Sequence, residues 1–487
     1  MLEPRLIEHH LSKIQKEVGE KSTLANTYFR LVKPIEENLK QYSNLEKQIR
    51  FPLHFSVISS FFKISYEILK SVIVAVIKKR ESASFQVPMG FENQRIFVSH
   101  YTHAQVPSKP DVFFDQLPSA KDLIFYHNNT WLNRTKILNR LNPYDTRPNF
   151  LVTTKSLGLK NIVSLQFKNL HTSVRMLNYA LMSRRFTAIE RRILICAATN
   201  QVSRQTLANQ INLNRLDSVL TLNRPSILFI TLEGHAYEAL YIELIHNKFP
   251  GIRLMAFQHA PIVPDQFGLI RNLLKLNSND VILASGEITR DFFVSLNLKA
   301  GVRLIGSPKW RLANPKCKSE FPITVLGAAE GTYESIENFS RLFEGLDSLE
   351  LNLKLILRVH PAVSSKEASK ILSRVKFGEN LVLSTRPLNQ DLEESHFCIY
   401  RSSAVAIEGL RFGVTPLYFN PNGDQGLNPL YFAKFEMPVF RNLKDFKEYF
   451  KTLSELGDVV ANNRNQELFK IGSAYYTKLD PSALNGF

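Results

Sequence analysis

Four short motifs in this chain have the residue types and spacing to hold an anion or move a proton. Arg358-Val359-His360-Pro361 closes an apolar run. Arg358 and His360 stand two apart, so on a strand both side chains project to one face and could clamp a single anion; Arg358 could equally serve a structural ion pair. Arg401-Ser402-Ser403 separates the apolar run Phe397–Tyr400 from a helical segment, Ala404–Leu410, that a glycine closes. Serines at the N-cap of that helix would turn their hydroxyls and the free N–H groups of its first turn toward whatever lies beyond the strand end, and an anion, above all a phosphate, is favoured there. The bland alternative is that Ser402 and Ser403 only cap the helix. Glu233-Gly234 follows the apolar run Ser226–Thr231, and Gln258-His259-Ala260 follows Ile252–Phe257. A carboxyl desolvated at such a place becomes a better base near neutrality, whereas a histidine starts near ~6.5. Glu233 is the preferred base, with His259 as its competitor.

The elements that must position these groups follow from periodicity. Up to residue 85 apolar residues recur thinly among Lys, Glu and Gln, the pattern of solvated helices. Short apolar runs bounded by turn residues then predict strands at 95–99, 122–126 and 150–153, and helical periodicity covers 170–213. From residue 226 strands alternate with helices: strands at 226–231, 252–257, 281–284 and 302–305, then, after a polar connection at 309–319, at 323–326, 353–359, 381–383, 397–400 and 416–419, with a helical tail from Leu443. Strict alternation predicts an α/β chain with parallel, doubly wound sheets, whose functional residues belong at strand C-termini. The expected division is a helical region at 1–85, an N-terminal Rossmann-like domain at 86–315 and a C-terminal one at 316–487. Two such halves with a cleft between their strand ends are the GT-B architecture.

Composition bounds the partners. The chain has 487 residues, 44% of them hydrophobic, which suffices for two or three cores. Its three cysteines, Cys196, Cys317 and Cys398, lack metal-ligand spacing and read as reduced, packed thiols. A net charge of +17 suits an anionic substrate or an anionic membrane, and, without zinc-finger or RNA-recognition signatures, nucleic acid is not expected. The start of the sequence lacks the pattern of a secretory signal, so the cytoplasm is the expected compartment. Residues 51–80 hold an apolar run interrupted by Lys63, Glu67 and Lys70 and ended by Lys78-Lys79-Arg80. This is too broken to span a bilayer; it is either a helix lying at the inner face of the membrane or one packed on its own domain.

Taken in order, Glu233-Gly234, His360-Pro361 and Ser402-Ser403 resemble three elements of bacterial surface-polysaccharide glycosyltransferases that use cytidine-activated donors: polysialyltransferases, transferases of Kdo and other nonulosonates and, more distantly, teichoic-acid glycerophosphotransferases. The resemblance spans about residues 226–420. It implies that Glu233 is the base, that His360 and Pro361 contact the cytidine nucleotide, and that Ser402 and Ser403 hold its phosphate; Arg358 and Arg401, which stand beside these pairs, are nucleotide-binding candidates with them. Two adjacent acids usually precede the glycine of the first element, and Leu232 stands in the first place here. Gln258-His259-Ala260 resembles the Gln-His-Gly of the glycerophosphotransferases, which keeps His259 in play as a catalytic residue. Glu408 could reach a ribose hydroxyl or be an exposed helical acid. The implied partners are a CMP-activated sugar and a glycan or lipid-linked glycan acceptor. No Asp-X-Asp stands at a strand end, so neither metal nor other cofactor is expected.

Overall fold

The computed structural model describes residues 95–100, 122–127, 150–151, 159–183, 185–264, 266–310, 322–330, 333–349, 351–360, 372–375, 379–421, 426–433, 435–456 and 459–484, with a few isolated positions besides. The helical reading of 1–85 and the basic residues of 51–80 lie outside them, save for a few positions such as Phe62 and Tyr66, and so does the expected domain boundary near 315.

The first sheet contains β1 (Arg95–His100), β2 (Leu123–His127), β3 (Phe150–Leu151), β4 (Ile227–Thr231), β5 (Arg253–Gln258), β6 (Val281–Ala284) and β7 (Gly301–Leu304), in the spatial order β3-β2-β1-β4-β5-β6-β7. The second contains β8 (Ile323–Ala329), β9 (Leu353–Val359), β10 (Leu381–Leu383), β11 (Phe397–Tyr400), β12 (Thr415–Phe419) and β13 (Val439–Phe440), in the order β10-β9-β8-β11-β12-β13. All pairs of the second sheet are parallel. Each sheet thus starts in the middle, grows to one side and then reverses, which is the Rossmann order 3-2-1-4-5-6. Two Rossmann-like sheets in one chain are the make-up of a GT-B fold, as the alternation of the sequence predicts.

The apolar runs are long because a parallel sheet is covered on both faces. Every residue of β4 and of β6 is buried. In the second sheet successive residues feed opposite cores: Val325, Leu355, Leu357, Ile399 and Leu417 join one, and Leu326, Ile356, Cys398, Tyr400 and Tyr418 join the other. Cys398 is a packed thiol, as expected, and burial pushes its pKa up to about 12.

Three helices, α1 (Leu159–Met182), α2 (Ala188–Gln201) and α3 (Arg204–Asn223), replace the single helical stretch expected at 170–213. The breaks have local causes. Thr187 and Glu190 form a capping box that starts α2, and the Ser203 hydroxyl accepts the Thr206 N–H to start α3. The remaining helices are α4 (Ala236–Lys248), α5 (Phe267–Leu273), α6 (Glu287–Ser295), α7 (Tyr333–Asp347), α8 (Leu388–Glu394), α9 (Val405–Leu410), α10 (Leu443–Leu456) and α11 (Val459–Tyr475). Among the described residues no helix is long and apolar enough to cross a membrane.

Two compact units divide the chain, one of Met1–Gln258, Gln266–Ile282 and Leu298–Gly301, the other of His259–Asp265, Leu283–Asn297 and Val302–Phe487. The tail explains why the ends of β6 and β7 go with the second unit. Thr477 N–H donates to Ser285 O at 3.1 Å, Ser307 N–H to Thr477 O at 3.0 Å and Asp480 N–H to Ile305 O at 2.8 Å. Gly306, at φ +89°, admits this tail, since a Cβ there would lie 2.2 Å from Lys478 O.

Candidate functional site

In an open parallel sheet ligands collect beyond the strand C-termini at the point where strand order reverses. That point lies between β1 and β4 in the first sheet and between β8 and β11 in the second. Most of the residues singled out by sequence stand at or beside one or the other.

The chain leaves β4 through Leu232-Glu233-Gly234-His235 and enters α4. Gly234 takes φ +87°, and a Cβ there would fall 2.3 Å from the Leu269 backbone nitrogen, so only glycine fits the turn. Glu238, fully buried in the first turn of α4, shapes the loop from inside. Its carboxylate accepts the backbone N–H groups of Glu233 (2.9 Å), Gly234 (2.8 Å) and His235 (2.9 Å) and the side-chain amide of Asn272 (3.0 Å). Burial pushes this carboxyl up to about 7, against the pull of nearby His235 and the loop N–H groups. With the loop backbone held inward, the side chains of Glu233 and His235 are left part-exposed and face each other, His235 Nε2 lying 2.9 Å from Glu233 Oε2. A carboxylate and an imidazole at that distance can pass a proton between them. Gln266 Nε2 donates to Glu233 O at 2.9 Å. His259, beyond the end of β5, is buried. His127 is the buried last residue of β2, where its Nδ1 meets the Tyr241 hydroxyl.

In the second sheet Ala328 is aligned with Arg358 on one side and Tyr400 on the other. Two residues further on, the three strands deliver Glu330, His360 and Ser402. Glu330 is buried, and burial raises its pKa, opposed by hydrogen bonds from Ser335 and Ser402. The Ser402 N–H donates to Glu330 Oε1 at 2.7 Å. A carboxylate oxygen therefore already occupies the amide expected to meet a phosphate. The expected capping geometry is also corrected. The helix begins at Val405 with Ala404 at its N-cap and no side-chain cap, because residues 401–403 run on beyond the strand before the backbone turns helical. Ser403 is buried, and its Oγ accepts the Val405 N–H at 3.4 Å; Arg401 is buried beside the pair. Glu408 lies within α9, close enough to Tyr476 for its charge to raise that phenol's pKa, which burial raises most.

The clamp of one anion by Arg358 and His360 does not form. Asp391 is a fully buried carboxylate, and the Arg358 guanidinium turns to it, donating at 2.7 Å to Asp391 Oδ2 and at 2.7 Å to Arg386 O, while Arg386 binds the other carboxylate oxygen. A buried charge of this kind demands a partner, so the ion-pair alternative describes Arg358. His360 is exposed as a residue, but desolvation of its ring and the Lys309 ammonium nearby hold its pKa below the ordinary imidazole range, so the ring is neutral at pH 7. Pro361 lies outside the described residues.

Sequence reasoning passed over His235, Glu238, Lys309 and Glu330. The spacing from His235 to Glu238 is that of a capping box, hidden because histidine is an unusual cap. Glu330 had a signal too, an acid directly after a seven-residue apolar strand.

No family model matches the sequence and no curated protein is significantly similar to it. Solved structures are similar in chain course. A UDP co-structure of MnaA from S. aureus superposes with a TM-score of 0.46 at 10% identity, covering 80% of this chain and 94% of that one. UDP-GlcNAc 2-epimerase from Neisseria meningitidis, bound to UDP-GlcNAc, gives 0.43 at 11% identity, covering 80% and 98%. The glycosyltransferase SnogD from Streptomyces nogalater gives 0.41 at 11%, covering 80% and 97%.

Proposed function

We propose that this chain is a glycosyltransferase of bacterial surface polysaccharide synthesis, of capsule or lipopolysaccharide, which transfers a sugar with inversion from a cytidine-activated donor such as a CMP-nonulosonate to a glycan or lipid-linked glycan. What carries the reading is that the chemistry-bearing residues fall at the switch points of two Rossmann-like sheets: Glu233 with His235 at one, and His360 with Ser402 and Ser403 at the other.

In this reaction Glu233 takes the proton of the acceptor hydroxyl, whose oxygen attacks the anomeric carbon as the bond to the donor phosphate breaks and its electron pair leaves with CMP. His235 orients the Glu233 carboxylate and shares the proton. A neutral His360 donates a hydrogen bond to the departing nucleotide, while the Ser403 hydroxyl and Arg401 supply further donors and charge. The acceptor side brings the enzyme to the inner face of the cytoplasmic membrane, held there by basic and apolar surface.

A thermal-shift screen of cytidine, uridine, guanosine and adenosine nucleotides tests the donor, because a ligand of the native state raises its melting temperature. Cytidine monophosphate is expected to stabilise the protein most. Stabilisation by uridine diphosphate without a cytidine effect overturns the donor assignment, and no stabilisation by any nucleotide overturns the reading.

A further inference from the structure

Helix α1 carries a surface that the proposed chemistry does not use. One of its faces is buried through Ile162, Met176, Leu177 and Ala180. The opposite face repeats at helical spacing and is exposed: Lys160, Ser164, Phe167, Lys168, His171, Val174, Arg175 and Met182 all lie on it. Phe167 is 68% exposed and Met182 76%, values far from those of a satisfied core. Partly buried Val163, Leu170 and Leu181 flank them on one side, and Lys168 and Arg175 flank them on the other. The helix has 24 residues and contains no Asp or Glu. At ~1.5 Å per residue the helix is about 36 Å long, and its exposed apolar residues, Phe167 to Met182, run along about 22 Å of it, edged with positive charge.

We infer that this face of α1 is a docking surface for an anionic lipid bilayer. Charge complementarity selects the occupant. Phosphate headgroups meet Lys160, Lys168 and Arg175, while Phe167, Val174 and Met182 enter the boundary between headgroups and acyl chains. Nucleic acid would use the cations but leave the apolar stripe in water. The inference rests on the reading that the protein works at a membrane surface, and it assigns the contact to α1 in place of residues 51–80.

Vesicle flotation of the full chain tests both. Vesicles of phosphatidylcholine with phosphatidylglycerol at low salt are expected to carry the protein up, and vesicles of phosphatidylcholine alone are not. Phe167→Ser with Met182→Ser, and separately Lys168→Glu with Arg175→Glu, are each expected to weaken partition by about tenfold or more, with the melting temperature unchanged because the positions are exposed. The partition of the wild type should fall with added salt and that of the charge-reversed protein should hardly change, having little left to screen. If both variants float like the wild type while charge reversal at Lys63, Lys70, Lys78, Lys79 and Arg80 abolishes flotation, the membrane reading stands and the assignment to α1 is overturned. If the wild type does not float at all, or binds RNA in place of vesicles, both are overturned.

Discussion

At the end of β4 the buried Glu238 takes the N–H groups of residues 233, 234 and 235; at the end of β8 the buried Glu330 takes the N–H of Ser402. The two carboxylates have similar surroundings and opposite consequences. Glu238 comes from the helix that follows its own loop, so by binding the loop backbone from inside it leaves the side chains of Glu233 and His235 turned outward. Glu330 follows the neighbouring strand β8 and takes the Ser402 N–H, one of the donors that the sequence offers to a phosphate. A buried acid can therefore support a site or fill it, and what decides is which backbone N–H groups it takes. In the proposed reaction the first switch point offers a paired carboxylate and imidazole, whereas at the second an internal carboxylate already holds one of the N–H donors.

The largest effect should come from the group that the first arrangement exposes. Glu233→Gln keeps the shape and much of the hydrogen bonding but removes the basic form, so turnover should fall about 10²–10⁴-fold with donor affinity nearly unchanged. Nucleotide release under saturating donor measures this. A normal rate in that variant beside a dead His259→Ala would move the base role to His259.

Next in size is the turn itself. Gly234→Ala must bear a positive φ and a Cβ 2.3 Å from backbone, and should lose about 2–5 kcal/mol of stability by denaturant unfolding. A loss below about 1 kcal/mol would show that α5 yields easily and that the loop is less rigid than Glu238 makes it.

The buried Glu238 also writes a pH dependence. Its carboxyl lies at about 7 in the fold against an ordinary 4.5. Between these values the folded protein keeps a proton that the unfolded chain releases, so stability falls as pH rises. The contribution is fully present below 4.5 and lost above about 7, with a total of roughly 3 kcal/mol at ~1.36 kcal/mol per pH unit. Glu238→Gln, which cannot ionise, should flatten that part of the stability curve. An unchanged slope would assign the dependence to another group.

These contrasts mark what the sequence could disclose. The sheets were legible because buried parallel strands are continuous apolar runs, and strands 281–284, 353–359, 381–383 and 397–400 agree to the residue with the observed ones. Helices α5 and α8 were not, since seven residues each give too little periodicity, and the breaks in the long helical stretch rest on capping side chains. Among the site residues, position along a strand end was readable from Glu233, His360 and Ser402. Orientation and prior engagement were not. That Arg358 turns to Asp391 depends on an acid 33 residues away, and that Ser402 is held by Glu330 depends on one 72 residues away. Neither pairing leaves a local pattern.

The smallest effect sharpens the comparison most, because it asks whether Glu330 fills the second site or belongs to it. If a nucleotide phosphate competes with the Glu330 carboxylate for the Ser402 N–H, Glu330→Gln should tighten nucleotide binding by about 5–10-fold: the amide oxygen still accepts the hydrogen bond, but the negative charge that repels phosphate is gone. In the wild type the same competition makes affinity depend on pH. Burial raises the Glu330 pKa, so lowering the pH protonates the carboxyl more readily than that of an ordinary glutamate and should improve binding, and the Glu330→Gln protein should lack this part of the dependence. Titration calorimetry with cytidine monophosphate at pH 6 and pH 8 separates the cases. Tighter binding in the variant, with a flattened pH dependence, makes Glu330 an internal stand-in for the ligand's phosphate. Weaker binding would give Glu330 the opposite role, as an acceptor that holds a hydroxyl of the nucleotide, and the two switch points would then both use their buried glutamate to build a site.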